Sequence, residues 1–327
     1  MDTKKQFCGI DISGKTLDIC YQKQDGTFAS EKLDNCTSGF KKFSQICSLS
    51  SYHFVMEHTG VYHLPLCFFL HEQNATYSVI NALQIKRYIQ MHLERNKTDK
   101  KDAKHICMYG ISQQPKSYQM PDPLYFECRS LNNAIETITQ EMTSFKNKIH
   151  ALKLTQIVDK TVANAYQEIV EKLKQELKKI EAQLHKKLLE WHPELVELVS
   201  SITGIGKRAT AQLIVQTQGF KNTDSYQQLI SFAGLSPKEY SSGTSIRGKV
   251  RICKFGGGRL RHTLYMCALN AKKSNPACKD LFDRLVAKGK NKKLAIIAVC
   301  NKLLKQVFAI VKSGKPYNKN QMKKKEQ

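Results

Sequence analysis

The sequence predicts an α/β domain at its N-terminal end, a helical coiled coil in the middle and a mostly helical C-terminal domain. Three observations predict this order. Strand-like apolar stretches alternate with helical patterns between residues 6 and 80, apolar spacings of three and four begin near Leu131, and a glycine- and arginine-rich stretch begins near Ser241. We therefore expect domains at residues 1–125, 126–195 and 196–312, with a basic, disordered tail at 313–327.

In the first domain the pattern predicts three antiparallel strands at residues 6–12, 15–22 and 27–33, which lead into parallel strands at 53–56 and 77–80 that alternate with helices. Ligand-binding residues of such sheets collect beyond the strand ends. Asp11 in the first strand and Glu57 after the fourth are therefore candidate site residues. A carboxylate inside an apolar strand costs free energy unless it is paired or bound to a metal. A capped or salt-bridged acid is the alternative interpretation of each.

A second acidic feature lies in the segment RNKTDKKDAK, residues 95–104. Asp99 and Asp102 are three residues apart, so a helix starting at Thr98 or Asp99 puts both carboxylates on one face. Four lysines and an arginine surround them. This pattern indicates a metal site that also meets phosphate, because acids bind the ion and bases bind the polyanion. An exposed helix with solvated charges is the alternative.

The middle of the chain shows two heptad runs, which predict two long helices in an antiparallel hairpin or an oligomerising coiled coil. The first run comprises Leu131, Ile135, Ile138, Met142, Phe145, Ile149 and Leu152, and the second comprises Tyr166, Val170, Leu173, Leu177, Ile180, Leu184 and Leu188. No chemistry is indicated there.

Two later motifs point to phosphate. Gly204-Ile205-Gly206 followed by Lys207 stands between two helical patterns, which is typical of a helix–hairpin–helix contact to DNA and also of a tight helix–helix turn. Residues 241–261 then combine serines with glycines and with basic side chains that could stabilise phosphates. These basic residues are Arg247, Lys249, Arg251, Lys254, Arg259 and Arg261. A hydroxyl in such a loop can donate to a phosphate, attack one, or only form a turn.

The net charge of +24 indicates a polyanionic partner. From Ser241 to Gln327 there are 22 basic and 3 acidic residues, so +19 of the charge lies in the last quarter. The eleven scattered cysteines contain no CxxC pair and are expected to be reduced. The N-terminal segment lacks a signal-peptide core, and the apolar run Leu294–Cys300 is too short to cross a membrane. We expect a cytoplasmic protein with no membrane partner.

In this order and spacing, the motifs resemble the transposases of the insertion-sequence-110 family, the DEDD transposases. The segments that carry the resemblance are Gly9-Ile10-Asp11, Glu57-His58-Thr59-Gly60, the acid pair in residues 96–103, GIG at 204–206, FAGLSP at 232–237, SGTSIRG at 242–248 and GGGRLRHTLY at 256–265. His58 stands where the family frequently has alanine, and the triple glycine at 256–258 is unusually rich. Neither departure touches a residue expected to be catalytic.

The resemblance implies a RuvC-like, RNase H-like first domain in which Asp11, Glu57, Asp99 and Asp102 bind Mg²⁺ or Mn²⁺. It implies that Ser242 is the nucleophile, because the family's serine immediately precedes the glycine; Ser241 and Ser245 are its neighbours. It also implies recombination of double-stranded target and donor DNA, guided by a structured RNA encoded by the element, in homodimers that assemble into tetramers. Whether the serine acts within its own chain or on a neighbouring subunit is left open.

Two alternatives remain at this stage. A junction-resolving nuclease would use the four acids to activate water, with no covalent adduct, and the serine loop would hold phosphate. A non-enzymatic nucleic-acid binder would use the acids structurally. The first needs only the N-terminal domain, so the serine motif favours a recombinase. The second leaves the acid in the first strand without a ligand.

Overall fold

The computed structural model describes residues 6–23, 25–58, 60–92, 98–155, 159–238, 241–242, 246–247 and 251–318. The chain divides into two compact units, Met1–Met120 and Pro121–Gln327. The first is a mixed α/β unit and the second is mostly helical, as the sequence predicts.

Unit 1 is built on a five-stranded sheet in the order β3-β2-β1-β4-β5. Its strands are β1 (Gln6–Ile12), β2 (Thr16–Gln22), β3 (Phe28–Asp34), β4 (Tyr52–Glu57) and β5 (Thr76–Ile80). The first three pair antiparallel, whereas β4 pairs parallel with both β1 and β5. This confirms the predicted change from an antiparallel to a parallel half. It also leaves the adjacent β1 and β4 ending on the same edge.

Helices cover this sheet because its central strands are apolar on both faces. They are α1 (Thr37–Ile46), α2 (Leu64–Glu72), α3 (Ala82–Met91) and α4 (Asp99–Gln113). One core cluster contains Ile10, Phe43, Phe54 and Leu66, all fully buried. On the other face Val55 packs with residues of α3 and α4, including Ile106. Burial on both faces is expected of a parallel strand such as β4.

The contact between α4 and β1 is unusually close, and glycine permits it from both sides. A Cβ atom on Gly9 would lie 2.1 Å from the backbone nitrogen of Cys107 and 2.4 Å from the carbonyl oxygen of Ala103. A Cβ on Gly110 would lie 2.7 Å from the Phe7 ring. These approaches leave no room for a side chain, so α4 is fixed on the strand that carries Asp11.

Unit 2 begins with two 32-residue helices, α5 (Pro123–Leu154) and α6 (Lys160–Trp191). Phe145 and Tyr166 have ring centroids 5.5 Å apart, while Glu127 near the other end pairs with Lys187 at 2.8 Å. These contacts show an antiparallel pair. The two predicted helices are therefore confirmed, and of the two arrangements left open by the heptad pattern they form the hairpin within the chain.

The remaining helices pack into one core, with the base of the α5–α6 pair included. They are α7 (Pro193–Ser200), α8 (Lys207–Gln216), α9 (Tyr226–Phe232), α10 (Gly258–Ser274), α11 (Pro276–Ala287) and α12 (Lys292–Ser313). Within the described part of the chain, α12 is the one helix with the length and hydropathy to cross a membrane. Its residues Val299, Leu303, Leu304 and Val307 are fully buried in this core, so α12 is a core helix of the unit.

Between α9 and α10 lie four two-residue strands in two nested antiparallel pairs. The outer pair joins β6 (Pro237–Lys238) to β9 (Arg251–Ile252), and the inner pair joins β7 (Ser241–Ser242) to β8 (Ile246–Arg247). We call residues 237–252 the serine arm. The sequence predicted a loop here, because none of these strands is long enough to show alternation.

Some helix boundaries differ from the sequence prediction. The sequence pattern predicts that the helix starting at Thr98 or Asp99 ends near Tyr109, but α4 continues to Gln113, with Gln114 as a left-handed cap. The sequence also predicts Asp224 as the cap of α9, but the cap is Ser225, whose hydroxyl accepts the backbone N–H of Gln228. Of the predicted tail at 313–327, residues 319–327 lie outside the described residues. The four-part division of the chain stays a prediction.

We expect Gly9→Ala to lower the free energy of unfolding by about 2 kcal/mol or more, because a new Cβ between backbone atoms cannot be relieved by a rotamer change. Urea denaturation of the purified protein measures this. Gly14→Ala is the control, since its Cβ would meet only the Tyr62 side chain, at 3.3 Å. Equal losses in both variants would contradict the close approach at Gly9.

Candidate active site and nucleic-acid interface

Asp11 and Glu57 lie side by side at one edge of the sheet. Ile10 on β1 is in register with Met56 on the parallel strand β4, so Asp11 and Glu57 occupy the next position of each strand. Both side chains are partly exposed, although the strands behind them are buried. The strand order places these acids together, as the sequence predicted from the strand ends.

The acid pair at 99 and 102 opens helix α4. The Thr98 hydroxyl caps the helix by accepting the backbone N–H of Lys101 at 3.3 Å. Asp99 and Asp102 therefore lie in the first turn, where the positive end of the helix dipole favours negative charge. Arg95, Asn96 and Lys97 of the same motif, like Thr59 of the second motif, lie outside the described residues.

The four carboxylates interact electrostatically, as the pKa of Asp11 shows. This pKa is raised to about 6, first because the group is withdrawn from water and then because of the negative charges of Asp102, Asp99, Glu57 and Asp18, in that order. Among the described residues, however, no three metal-binding side chains are close enough to hold an ion together. The acids are thus neighbours without forming a closed set of ligands.

Asp18 is an acid of this cluster that the sequence interpretation missed. It is directly opposite Asp11 on the antiparallel strand β2, in a register fixed by the tight turn at Ser13–Thr16. Lys32 on β3 pairs with Asp18 at 3.3 Å and offsets its charge. The hairpin register would have revealed the opposition, because it aligns residues whose numbers sum to 29, as in Ile12 with Leu17.

The donor set fits a hard divalent cation. Mg²⁺ and Mn²⁺ prefer carboxylate oxygens as ligands. Burial and the neighbouring negative charges disfavour the ionised form of Asp11, and a bound cation would stabilise that form. Asp11, Glu57, Asp99 and Asp102 are the residues that would hold it. Bound there, the ion would supply positive charge to a phosphate oxygen.

The serine arm holds Ser242 at the end of a strand. Its backbone pairs with Ile246, and that of Ser241 pairs with Arg247. Gly243, Ser245 and Lys249, and the side chains of Ser242 and Arg247, lie outside the described part of the molecule. The arm is anchored by Gly256, whose φ is +119° and whose Cβ would lie 2.2 Å from the carbonyl oxygen of Phe232. This close approach explains why position 256, the first of the three glycines at 256–258, is a glycine.

The basic residues between Arg251 and Arg261 differ in their surroundings. Arg251 and Lys254 are exposed. Arg261 instead donates to the carbonyl oxygen of Ala233 at 3.2 Å, beneath the turn that leads into the arm. Arg259 donates to Glu136 on α5. Of the four, Arg261 has a clear structural role in addition to the predicted phosphate contact.

The two glycines of the GIG turn also differ. Gly204 has φ of +103°, and a Cβ there would lie 2.7 Å from the Cβ of Ala271 on α10. It is therefore required for helix packing. Gly206 is exposed and precedes the first turn of α8, and a Cβ added to it would meet no atom within 4 Å. Gly206 and the exposed Lys207 remain predicted phosphate contacts.

Comparison with known proteins agrees with this architecture. Residues 8–158 match the DEDD family model of IS110, described as a transposase, and residues 196–283 match the model of the IS116/IS110/IS902 transposase family. The pilin gene-inverting proteins of Moraxella bovis and Moraxella lacunata are each 27% identical over 96% of this chain and 98% of their own length. The uncharacterized 43.6 kDa protein of insertion element IS110 from Streptomyces coelicolor is 32% identical over 138 residues, which are 42% of this chain and 33% of that protein.

We call the sheet edge with Asp11, Glu57, Asp99 and Asp102 the acidic edge. The fold, the acidic edge and these matches define a DNA-processing enzyme of the transposase and site-specific recombinase class. The chain belongs to the IS110 family of transposases. This confirms the resemblance seen in the motifs. The DEDD signature of the family also implies the general use of a divalent metal.

We expect Asp11→Asn to be more thermostable than the wild type at pH 8 in EDTA. A carboxyl whose pKa is raised on folding stabilises the protein below its unfolded pKa, and this stabilisation is lost as pH rises through about 6. The asparagine side chain does not ionise, so the variant does not lose this stability. The difference in Tm between Asp11→Asn and the wild type should therefore be smaller at pH 5 than at pH 8. Glu72→Gln, on an exposed acid of α2, is the control. A difference that does not depend on pH would contradict the clustering of the acids.

Proposed function

We propose that this transposase cuts and rejoins DNA strands through a covalent bond to Ser242, at a phosphate bound near Asp11, Glu57, Asp99 and Asp102. The observation that supports this most directly is the electrostatic cluster around Asp11, which brings together acids from two strands and a helix. Burial and the surrounding negative charge raise the pKa of Asp11, as expected for a carboxylate in a site that binds a cation. The serine motif distinguishes a recombinase from a nuclease that uses water.

The proposed step is a balanced exchange of phosphodiester bonds. Ser242 Oγ loses its proton and attacks phosphorus, so that an Oγ–P bond forms while the bond to the 3′-oxygen breaks, and the 3′-oxygen takes up a proton. A 3′-hydroxyl of a partner strand then attacks the phosphoserine and releases Ser242. Each step replaces one phosphoester by another, so rejoining requires no ATP.

The basic residues would act on phosphates around this step. Arg251 in the serine arm and Lys254 just after it are exposed, which suits them to neutralise phosphate charge as it develops. Gly206 and Lys207 at the start of α8 would contact the backbone further along the duplex. Arg247, Lys249, Arg259 and Arg261 complete the proposed set, and Gly204 belongs to it through the turn that it shapes.

We further propose the partners that the family resemblance implies. Target and donor DNA would be selected by pairing with a structured guide RNA, while the protein contacts phosphates and duplex shape. The active form would be a homodimer that assembles into a tetramer, in the bacterial cytoplasm near the nucleoid. The excess of basic residues after Ser241 supports an extended nucleic-acid surface.

The covalent step predicts a protein–DNA adduct. Protein, flanking RNA, Mg²⁺ and end-labelled junction DNA are denatured and separated on a gel, and a labelled band is expected at protein mass. Ser242→Ala should abolish the band and strand transfer, as should Asp11→Ala, while RNA binding stays nearly unchanged. Ser241→Ala is the matched control and should retain both.

Three outcomes would change the proposal. Full strand transfer by Ser242→Ala would remove the serine from the mechanism. Cleaved DNA without an adduct would indicate hydrolysis by activated water. An adduct lost in Ser241→Ala but kept in Ser242→Ala would move the nucleophile by one residue.

Metal binding can be measured without DNA. Mg²⁺ or Mn²⁺ at about 10 mM is expected to raise the Tm of the wild type, because an ion that binds only the folded state stabilises it. The increase should be much smaller in Asp11→Asn and in Asp102→Asn. Glu72→Gln should respond like the wild type. Equal increases in all four proteins would indicate that the ion binds elsewhere.

A further inference from the structure

A wide groove lies within unit 2, outside the acidic edge and the serine arm. Its volume is about 1070 Å³, and its walls are the polar face of α5, the GIG turn with the start of α8, and the first turns of α10. Three cationic side chains line it, namely Lys207, Arg208 and Arg259. Two helix N-termini, those of α8 and α10, also meet the groove, and such ends favour anions.

One acid lines the same groove. Of the described lining residues, Glu136 is the only one with a carboxylate. Its side chain is 13% exposed, and it accepts hydrogen bonds from three groups. Arg259 Nη1 donates to Oε2, while Gln212 Nε2 and Asn132 Nδ2 donate to Oε1 at 3.2 and 3.4 Å.

The bond between Glu136 and Arg259 does not resemble a core ion pair. The Arg259 side chain is 55% exposed, so water competes for it and the pair adds little to stability. The pair joins the α10 wall of the groove to the α5 wall, and its two residues are 123 positions apart in the sequence. Arg208 joins the α8 wall to α5, because its Nη2 donates to the Thr139 hydroxyl at 2.5 Å.

We propose that this groove binds the DNA backbone and that Glu136 is an internal substitute for phosphate, holding Arg259 until DNA displaces it. A carboxylate and a phosphate oxygen accept the same guanidinium donors. DNA entering the groove must compete with Glu136 for Arg259 and also approach its negative charge. Glu136 therefore weakens binding and makes the arginine available only to a ligand with a strong anionic backbone.

The uncharged polar side chains of the α5 wall are suited to the DNA backbone as well. Gln140, Thr143, Ser144 and Asn147 project from α5 at spacings of three and four, so they form one stripe along the groove. Hydroxyls and amides of this kind donate to phosphate and sugar oxygens without reading base sequence. This inference rests on the proposed function, because it assumes that the sugar–phosphate backbone in the groove belongs to the recombining DNA.

The test is a double-mutant cycle measured by binding alone. Fluorescence anisotropy with a labelled duplex of about 20 bp gives Kd over a series of salt concentrations. Glu136→Gln keeps the side-chain size and one accepting oxygen, while it removes the charge and replaces the other oxygen by an NH₂ donor. We expect it to bind about three- to tenfold more tightly than the wild type, because Arg259 becomes free to pair with phosphate. The slope of log K against log salt should steepen by about one.

Two further variants complete the cycle. Arg259→Ala should weaken binding, and in the Arg259→Ala background the substitution Glu136→Gln should change Kd less than twofold. Glu141→Gln removes the same charge from an exposed position of α5 that does not line the groove. It should change Kd less than twofold. Equal tightening in both glutamine variants, or tightening that persists without Arg259, would overturn the proposal.

The position of the DNA is tested separately. A photo-crosslinking residue replacing Gln140 should attach to bound duplex, and one replacing the adjacent Glu141 should not. Crosslinking from Gln140 to the flanking RNA alone would overturn the assignment to DNA. Because these readouts need no strand cleavage, a failed covalent step with an intact cycle would contradict only the serine mechanism. An adduct without coupling would contradict only the role of Glu136.

Discussion

The contact between Gly9 and helix α4 is the constraint on which the acidic edge depends. Backbone meets backbone there, since a Cβ would come within 2.1 Å of Cys107. Two of the acids lie at the start of α4 and a third lies two residues beyond Gly9 on β1. The fourth follows from strand pairing, because β4 is in parallel register with β1. One glycine thus sets the separation of acids that are up to 91 positions apart in the sequence, from Asp11 to Asp102.

Like charges lie close together in both units, and their surroundings differ. In unit 1, burial and the negative charges of neighbouring acids together raise the pKa of Asp11. In unit 2, cations line a groove and a single carboxylate engages one of them. A chain with 52 basic and 28 acidic residues can place its acids where they act and leave the excess for nucleic acid.

The sequence predicted the sheet, the helix pair and the location of Asp11 and Glu57 because these depend on local patterns and on strand order. The two heptad runs are one such local pattern, and Phe145 of the first run contacts Tyr166 of the second. Asp18 was missed because its role depends on hairpin register, and Glu136 because its partner lies 123 positions away. The nested strands of the serine arm were missed because two-residue strands carry no periodicity. Gly204, predicted for phosphate contact, is required for packing against Ala271.

The α5–α6 pair has one further consequence. Each helix is about 48 Å long at 1.5 Å per residue. In α5 the buried residues all lie between Tyr125 and Ile135, and toward the far ends Leu154 and Val162 are 73% and 41% exposed. The free energy that opposes local opening should therefore decline along the pair, and amide hydrogen exchange should be slow at the base and faster outward. The hairpin is a graded element, rigid where it joins the core and progressively easier to open with distance from it.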